Sequence, residues 1–201
     1  MRTSAVLGSI VVGVLAIGVP AGGSSAAQAV DKAVVDQYIA TWKQKPRDVA
    51  KTMIGKYGLP HEATAQRLIW HNNGPWRFTE LVNEEIPHDF PMAHHDMLFQ
   101  TIAYRIGDQK NAAALFEYDG SVIVERTKGE LSARCDKEEA NFLAINLAHD
   151  VVTGKRSVDE ARRFYADSIG MMMKGKPNDY LQGLRFKPAA GNQGDRDKAV
   201  M

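Results

Sequence analysis

The stretch Arg67-Leu68-Ile69-Trp70-His71-Asn72-Asn73-Gly74-Pro75-Trp76-Arg77-Phe78-Thr79-Glu80-Leu81-Val82 sets the fold class. Leu68 and Trp70 point one way, and Ile69 and His71 the other. Asn72 to Pro75 supplies turn chemistry, after which Trp76, Phe78, Glu80 and Val82 alternate again. A period of two on both sides of a turn predicts a β-hairpin. Working toward the C-terminus, a further strand is predicted over residues 97–106, where Leu98, Ile102, Tyr104 and Ile106 share a face with Gln100 as the exception. A short helix through Ala112, Leu115 and Phe116 follows and closes at Asp119-Gly120. A second hairpin then pairs residues 122–126 with residues 131–135 about Lys128-Gly129.

Helices flank these strands. Val34, Tyr38 and Trp42 recur at i, i+4 and i+8 over residues 31–43, with Val35 and Ile39 widening the stripe. A second amphipathic run through Val49, Ala50, Met53, Ile54 and Tyr57 ends at Gly58 before Leu59-Pro60. Asp136 with Glu139, and Ser157 with Glu160, have the spacing of capping boxes. They open helices carrying Ala140, Leu143, Leu147 and Val151, then Ala161, Phe164, Ser168, Ile169 and Met172, an αα-hairpin. The expectation is an α+β domain over residues 30–186: an antiparallel sheet of two β-hairpins plus one further strand, packed by N-terminal helices and a C-terminal αα-hairpin. Pro, Gly, Asn, Asp and Lys dominate residues 187–201, which predicts a disordered tail.

The 201 residues are 44% hydrophobic and 24% charged, the composition of a globular chain. Arg2 precedes an apolar run from Ala5 to Val19, then Pro20, small residues and a small-x-small site at Ala27-Gln28-Ala29. A run of fifteen residues makes a helix of about 22 Å, short of a bilayer core of about 30 Å. The pattern predicts a cleaved signal peptide over residues 1–29, a mature chain beginning near Val30 with no stable membrane insertion, and a periplasmic or secreted location. Lys plus Arg total 25 against 24 for Asp plus Glu, and removing residues 1–29 takes away Arg2 alone. A neutral mature chain speaks against nucleic acid as a partner and leaves a protein or small molecule of the cell envelope. Cys135 is the single cysteine, so no intramolecular disulfide supports the fold.

The order Lys56-Tyr57-Gly58-Leu59-Pro60, then strand, turn and strand to Val82, resembles the small helix-then-hairpin domains of outer-membrane assembly lipoproteins over about a quarter of the chain. Trp70-His71-Asn72-Asn73-Gly74-Pro75-Trp76, His88-Asp89-Phe90-Pro91 and residues 120–136 resemble instead a family of exported bacterial proteins with no assigned function, over most of the mature chain. That resemblance implies an exported protein and carries over no catalytic residues.

His88-Asp89-Phe90-Pro91-Met92-Ala93-His94-His95-Asp96 holds three imidazoles, two carboxylates and a thioether in nine residues, on what Phe90-Pro91 marks as an irregular loop. His88, His94, His95 and Asp96 are the candidate metal ligands. Imidazole and carboxylate suit zinc, and thioether sulfur from Met92, Met97 or residues 171–173 suits copper. Adjacent His94 and His95 are not helical i, i+4 ligands, and the alternative role of these side chains is to anchor the loop by hydrogen bonds. Trp70, Asn72, Asn73 and Trp76 are candidates for an aromatic and amide cleft binding a sugar or peptide, or for core plugs.

Cys135 ends a strand before a helix N-terminus, where a thiolate gains stability, but Asp136 opposes it and the nearest His in the following sequence is His149. Asn141, Asn146, His149 and Asp150 form a polar stripe whose expected neighbour is solvent. Neither a Gly-x-Ser-x-Gly elbow nor a phosphate-cradling Gly loop occurs. Three functional classes follow: a non-catalytic exported domain binding a partner or small ligand, with no cofactor; a zinc- or copper-binding or metal-dependent protein centred on residues 88–96; and a hydrolase or thiol enzyme without a local motif.

Overall fold

The structure is a computed structural model that describes residues 30–195 and 198–201. The expected signal peptide lies outside the described residues. Six strands, β1 (Glu62–Ala63), β2 (Arg67–Asn73), β3 (Trp76–His88), β4 (His94–Ala103), β5 (Val122–Glu125) and β6 (Glu130–Cys135), form one antiparallel sheet in the order β1-β2-β3-β4-β6-β5. Five α-helices accompany it: α1 (Lys32–Ala40), α2 (Gln44–Tyr57), α3 (Gln109–Tyr118), α4 (Glu138–Val152) and α5 (Val158–Met173). The chain is therefore α+β, as the alternation of its strands requires.

The predicted lone strand is the third arm of a meander. β4 begins at His94, three residues before the apolar alternation starts, and β3 runs on through Pro87 to His88, past an irregularity between Leu81 and Ile86. The loop expected over residues 88–96 shrinks to a connection at 89–93 that contains a cis Phe90-Pro91 peptide. His, Asp and Pro disguise these strand ends because strand signals rest on apolar alternation, which polar side chains facing a site do not provide.

Cross-strand partners share a face. Leu68 pairs with Leu81, Leu81 with Leu98, and Leu98 with Cys135, so one face runs unbroken across four strands. Two apolar clusters lie on the sheet. One joins Val35, Ile39, Trp42, Ala50 and Met53 of the N-terminal helical segment to Leu68, Trp70, Leu81 and Leu98. The other joins Leu115, Tyr118, the α4 residues Leu143, Ile145 and Leu147, and the α5 residues Ala161 and Tyr165 to Ile102, Leu131 and Ala133. In α1 the buried residues are Val35 and Ile39, while Val34 is exposed. The apolar face is thus centred one position from the predicted stripe.

Three of the four residues of the polar stripe on α4 do not meet solvent, and His149 is half-buried. Asn141, Asn146 and Asp150 are buried. Asn141 Nδ2 donates to the Leu98 carbonyl and to Gln100 Oε1, each at 3.0 Å. Asn146 donates to the carbonyls of Tyr180 and Gly183 and accepts from the Arg185 amide. Asp150 receives Arg156 and the Tyr180 hydroxyl. Asn141 thus ties α4 to β4, while Asn146 and Asp150 fasten the segment beyond α5 to the core.

Within residues 187–201, Asp195 N donates to the Arg126 carbonyl at 3.0 Å and the Gly194 carbonyl accepts from Arg105 at 3.2 Å. Gly129, at φ +69, permits this approach, because a Cβ there would lie 2.1 Å from the Gln193 backbone. Among the described residues no helix is long and apolar enough to cross a membrane.

Candidate metal centre

The β3–β4 register places His88 opposite His94 and Ile86 opposite Asp96. Alternation then puts His88, His94 and Asp96 on one face and His95, paired with Pro87, on the other. His88, His94 and Asp96 each offer a ligand atom, and these atoms lie within 4.8 Å of one another. His88 Nδ1 is 3.2 Å from Asp96 Oδ2, and His94 Nε2 is 3.0 Å from Asp96 Oδ1. His95 leaves the set: its Nδ1 lies 3.1 Å from Lys45 Nζ and 4.0 Å from Glu85 Oε2.

Proximity here does not amount to satisfied hydrogen bonding. Buried His88 Nδ1 and Asp96 Oδ1 have no aligned partner, and Asp119 Oδ2 beside them has none either. A buried polar atom without a partner costs roughly 1–3 kcal/mol, so three at one place call for an explanation. A shared cation is one, since lone pairs that converge on a point do not align along donor–acceptor lines.

The surroundings orient the imidazoles as metal sites do. His94 Nδ1 donates to the Met92 carbonyl at 2.8 Å, which turns Nε2 inward. His88 Nε2 lies 3.6 Å from Asp119 Oδ1, which leaves Nδ1 toward Asp96. Asp119, at the end of α3, is itself held by the Ser121 amide and hydroxyl, both at 2.8 Å. Burial pushes the Asp119 carboxyl up, against the Ser121 hydrogen bonds. The Asp96 carboxylate, followed by the Cys135 sulfur, raises His94 to about 11, against burial.

Sequence reasoning missed Cys135 at this site. Its Sγ lies 3.5 Å from His94 Nε2, a neighbour supplied by the adjacent strand and invisible in local sequence. The available signal was register: Cys135 faces Leu98, which alternation places on the face of Asp96 and His94. Beside them is a cavity of about 240 Å³ lined by His94 and Cys135 and by apolar residues such as Ala140, Tyr165, Ile169 and Met172. Met97, one of the thioethers considered for copper, is buried in the N-terminal cluster.

Thiol catalysis fits this arrangement poorly. In a Cys-His-acid triad the imidazole offers one nitrogen to sulfur and the other to the orienting acid. Here Cys135 and Asp96 both approach Nε2. Burial pushes the Cys135 thiol up, outweighing the help from His94, so the nucleophilic anion is disfavoured.

The proposed aromatic and amide cleft is not open. Trp70 is fully buried with its indole donating to the Gly58 carbonyl at 3.0 Å. Trp76 is buried against Phe142, ring centroids 4.9 Å apart, and donates to Glu138 Oε1 at 2.6 Å. Asn73 is buried, and Asn72, at φ 51, is exposed near the end of β2. Both indoles plug the core, which is the usual fate of large aromatics flanking a hairpin turn. No protein-family model, curated protein or solved structure matches the chain, so the chemistry rests on these residues themselves.

Proposed function

We propose that this is an exported metal-binding protein that holds a divalent transition metal, zinc or copper, on His88, His94 and Asp96. The observation that carries the reading is the convergence of three ligand atoms, two of them buried without an aligned hydrogen bond, at the paired ends of β3 and β4. Imidazole with carboxylate is a donor set for zinc and its neighbours rather than for magnesium or calcium, which prefer oxygen alone. Oriented second nitrogens on both histidines complete the features expected of such a site. Export rests on the residue pattern of positions 2–29.

Elemental analysis of protein purified from the periplasm or medium tests the metal. About one equivalent of zinc or copper per chain, removable by a chelator with a fall in Tm, is the expected result. A chain that carries no metal and whose Tm ignores both chelator and added Zn²⁺ or Cu²⁺ refutes it. N-terminal sequencing of the same material tests export, and an intact Met1 in the cytosol sinks that part.

The apolar cavity favours a second reading, in which the domain binds a small ligand without catalysis. Filling the cavity with Ala140→Phe separates the two, since it abolishes binding of a small apolar ligand and leaves a metal bound by His88, His94 and Asp96 in place.

A further inference from the structure

Resting on the metal reading above, we infer that Cys135 completes the site as a fourth, thiolate ligand, so that the centre is a closed tetrahedral His-His-Asp-Cys site for a zinc-class cation. Zinc binds nitrogen at about 2.0 Å and thiolate sulfur at about 2.3 Å, so two such ligands on one tetrahedral ion sit about 3.5 Å apart. Cys135 Sγ and His94 Nε2 are 3.5 Å apart. Nitrogen and oxygen ligands on the same ion sit about 3.3 Å apart. His94 Nε2 lies 3.0 Å from Asp96 Oδ1 and His88 Nδ1 3.2 Å from Asp96 Oδ2, so each imidazole stands at that spacing from its own carboxylate oxygen. The cysteine is not the sole mark of the site: the Asp96 side chain is 5% exposed, and its partnerless Oδ1 is aimed at the same nitrogen that Cys135 approaches.

Three strands supply the set, β3 for His88, β4 for His94 and Asp96, and β6 for Cys135, whose sulfur reaches the trio at His94 Nε2. The cavity touches His94 and Cys135, and Met92, Met172 and Met173 also line it, giving a thiophilic ion an approach past soft donors. On ligation the S–H bond of Cys135 breaks as the metal–sulfur bond forms, and the proton passes to buffer. A thiolate in the set selects Zn²⁺, Co²⁺ and Cd²⁺ over Mg²⁺, Ca²⁺ and Mn²⁺, and four protein donors leave no position for substrate.

Cobalt substitution of the full mature chain tests this. The expected result is tetrahedral d–d absorption together with an intense near-ultraviolet thiolate-to-cobalt charge-transfer band at one equivalent of Co²⁺. Cys135→Ser removes that band and weakens Zn²⁺ binding at least ~10-fold. Cadmium titration of the wild type, read by its sulfur charge-transfer absorption, decides the question independently should Cys135→Ser fail to fold. Cobalt bound without a thiolate band, or Zn²⁺ affinity unchanged in Cys135→Ser, overturns the fourth ligand and leaves the three-residue site standing. No binding of Co²⁺, Cd²⁺, Zn²⁺ or Cu²⁺ overturns both.

Discussion

His94 and His95 are chemically identical neighbours in opposite surroundings, because successive strand residues face opposite sides of a sheet. His94 meets Asp96, Cys135 and, across the ladder, His88, whereas His95 meets Lys45 and Glu85. Under the proposed function, Zn²⁺ at a hundredfold excess over its Kd stabilises the wild type by ~2.7 kcal/mol. His94→Ala is expected to abolish that gain and His95→Ala to retain it, read by thermal melts with and without chelator. Equal effects of the two substitutions contradict the assigned faces. The imidazoles and the carboxylate were legible as a cluster in sequence. Their sorting was not, because alternation assigns faces only once the strand is known to begin at His94. Cys135 was illegible for a different reason: its partners stand on a strand that is not its neighbour in sequence, and no local pattern encodes such pairing.

Helices α4 and α5 open with nearly the same spacing of residues, and one of the two uses it. Ser157 accepts from the Glu160 amide, and the Ser157 amide donates to Glu160 Oε2, a complete capping box. At α4 the helix starts one residue late, Lys137 takes the cap position without a side-chain bond, and Asp136 turns to Lys137 Nζ at 3.2 Å. Ser157→Ala is therefore expected to cost ~1 kcal/mol, within a range of about 0.5–2, while Asp136→Ala stays below ~0.5 kcal/mol in urea unfolding. Glu138 and Glu139 still place negative charge in the first turn of α4, where the helix dipole favours it. Within α4 the periodicity of Leu143 and Leu147 read the buried face correctly, since both are fully buried. Leu147→Ala is expected to cost about 2–5 kcal/mol, and a loss under about 0.5 would place that side chain outside the core. The buried Asn146 and Asp150 were misread because a polar residue on a helix suggests solvent until the chain that covers it, here residues 180–185, is known.

The two apolar clusters are bridged by Glu138, which accepts from Lys56 and Tyr57 of α2, Trp76 of β3 and Gln100 of β4. Burial is the largest influence on this carboxyl and favours its neutral form. The hydrogen bonds from Lys56, Tyr57 and Trp76 together outweigh burial and hold the group below the usual range. A carboxyl depressed in the folded state adds stability above its unfolded value, near ~4.3, and loses it as pH falls through the folded value. Urea unfolding at a series of pH values from 6 downward should show wild-type stability falling below about pH 4.5, with that part of the slope absent in Glu138→Gln. A slope shared by both proteins would remove Glu138 from this role. The class of the whole molecule followed from its hairpins, but the insertion of β6 between β4 and β5 did not, because strand order is decided by contacts distant in sequence. That order has a consequence for how copies of the chain meet. The long strands β3 and β4 are interior, while the outermost strands, β1 and β5, span two and four residues. Rows of unpaired amides and carbonyls at a sheet border are what recruit another chain into fibrils. With borders this short, neighbouring copies find almost no template on which to extend the ladder.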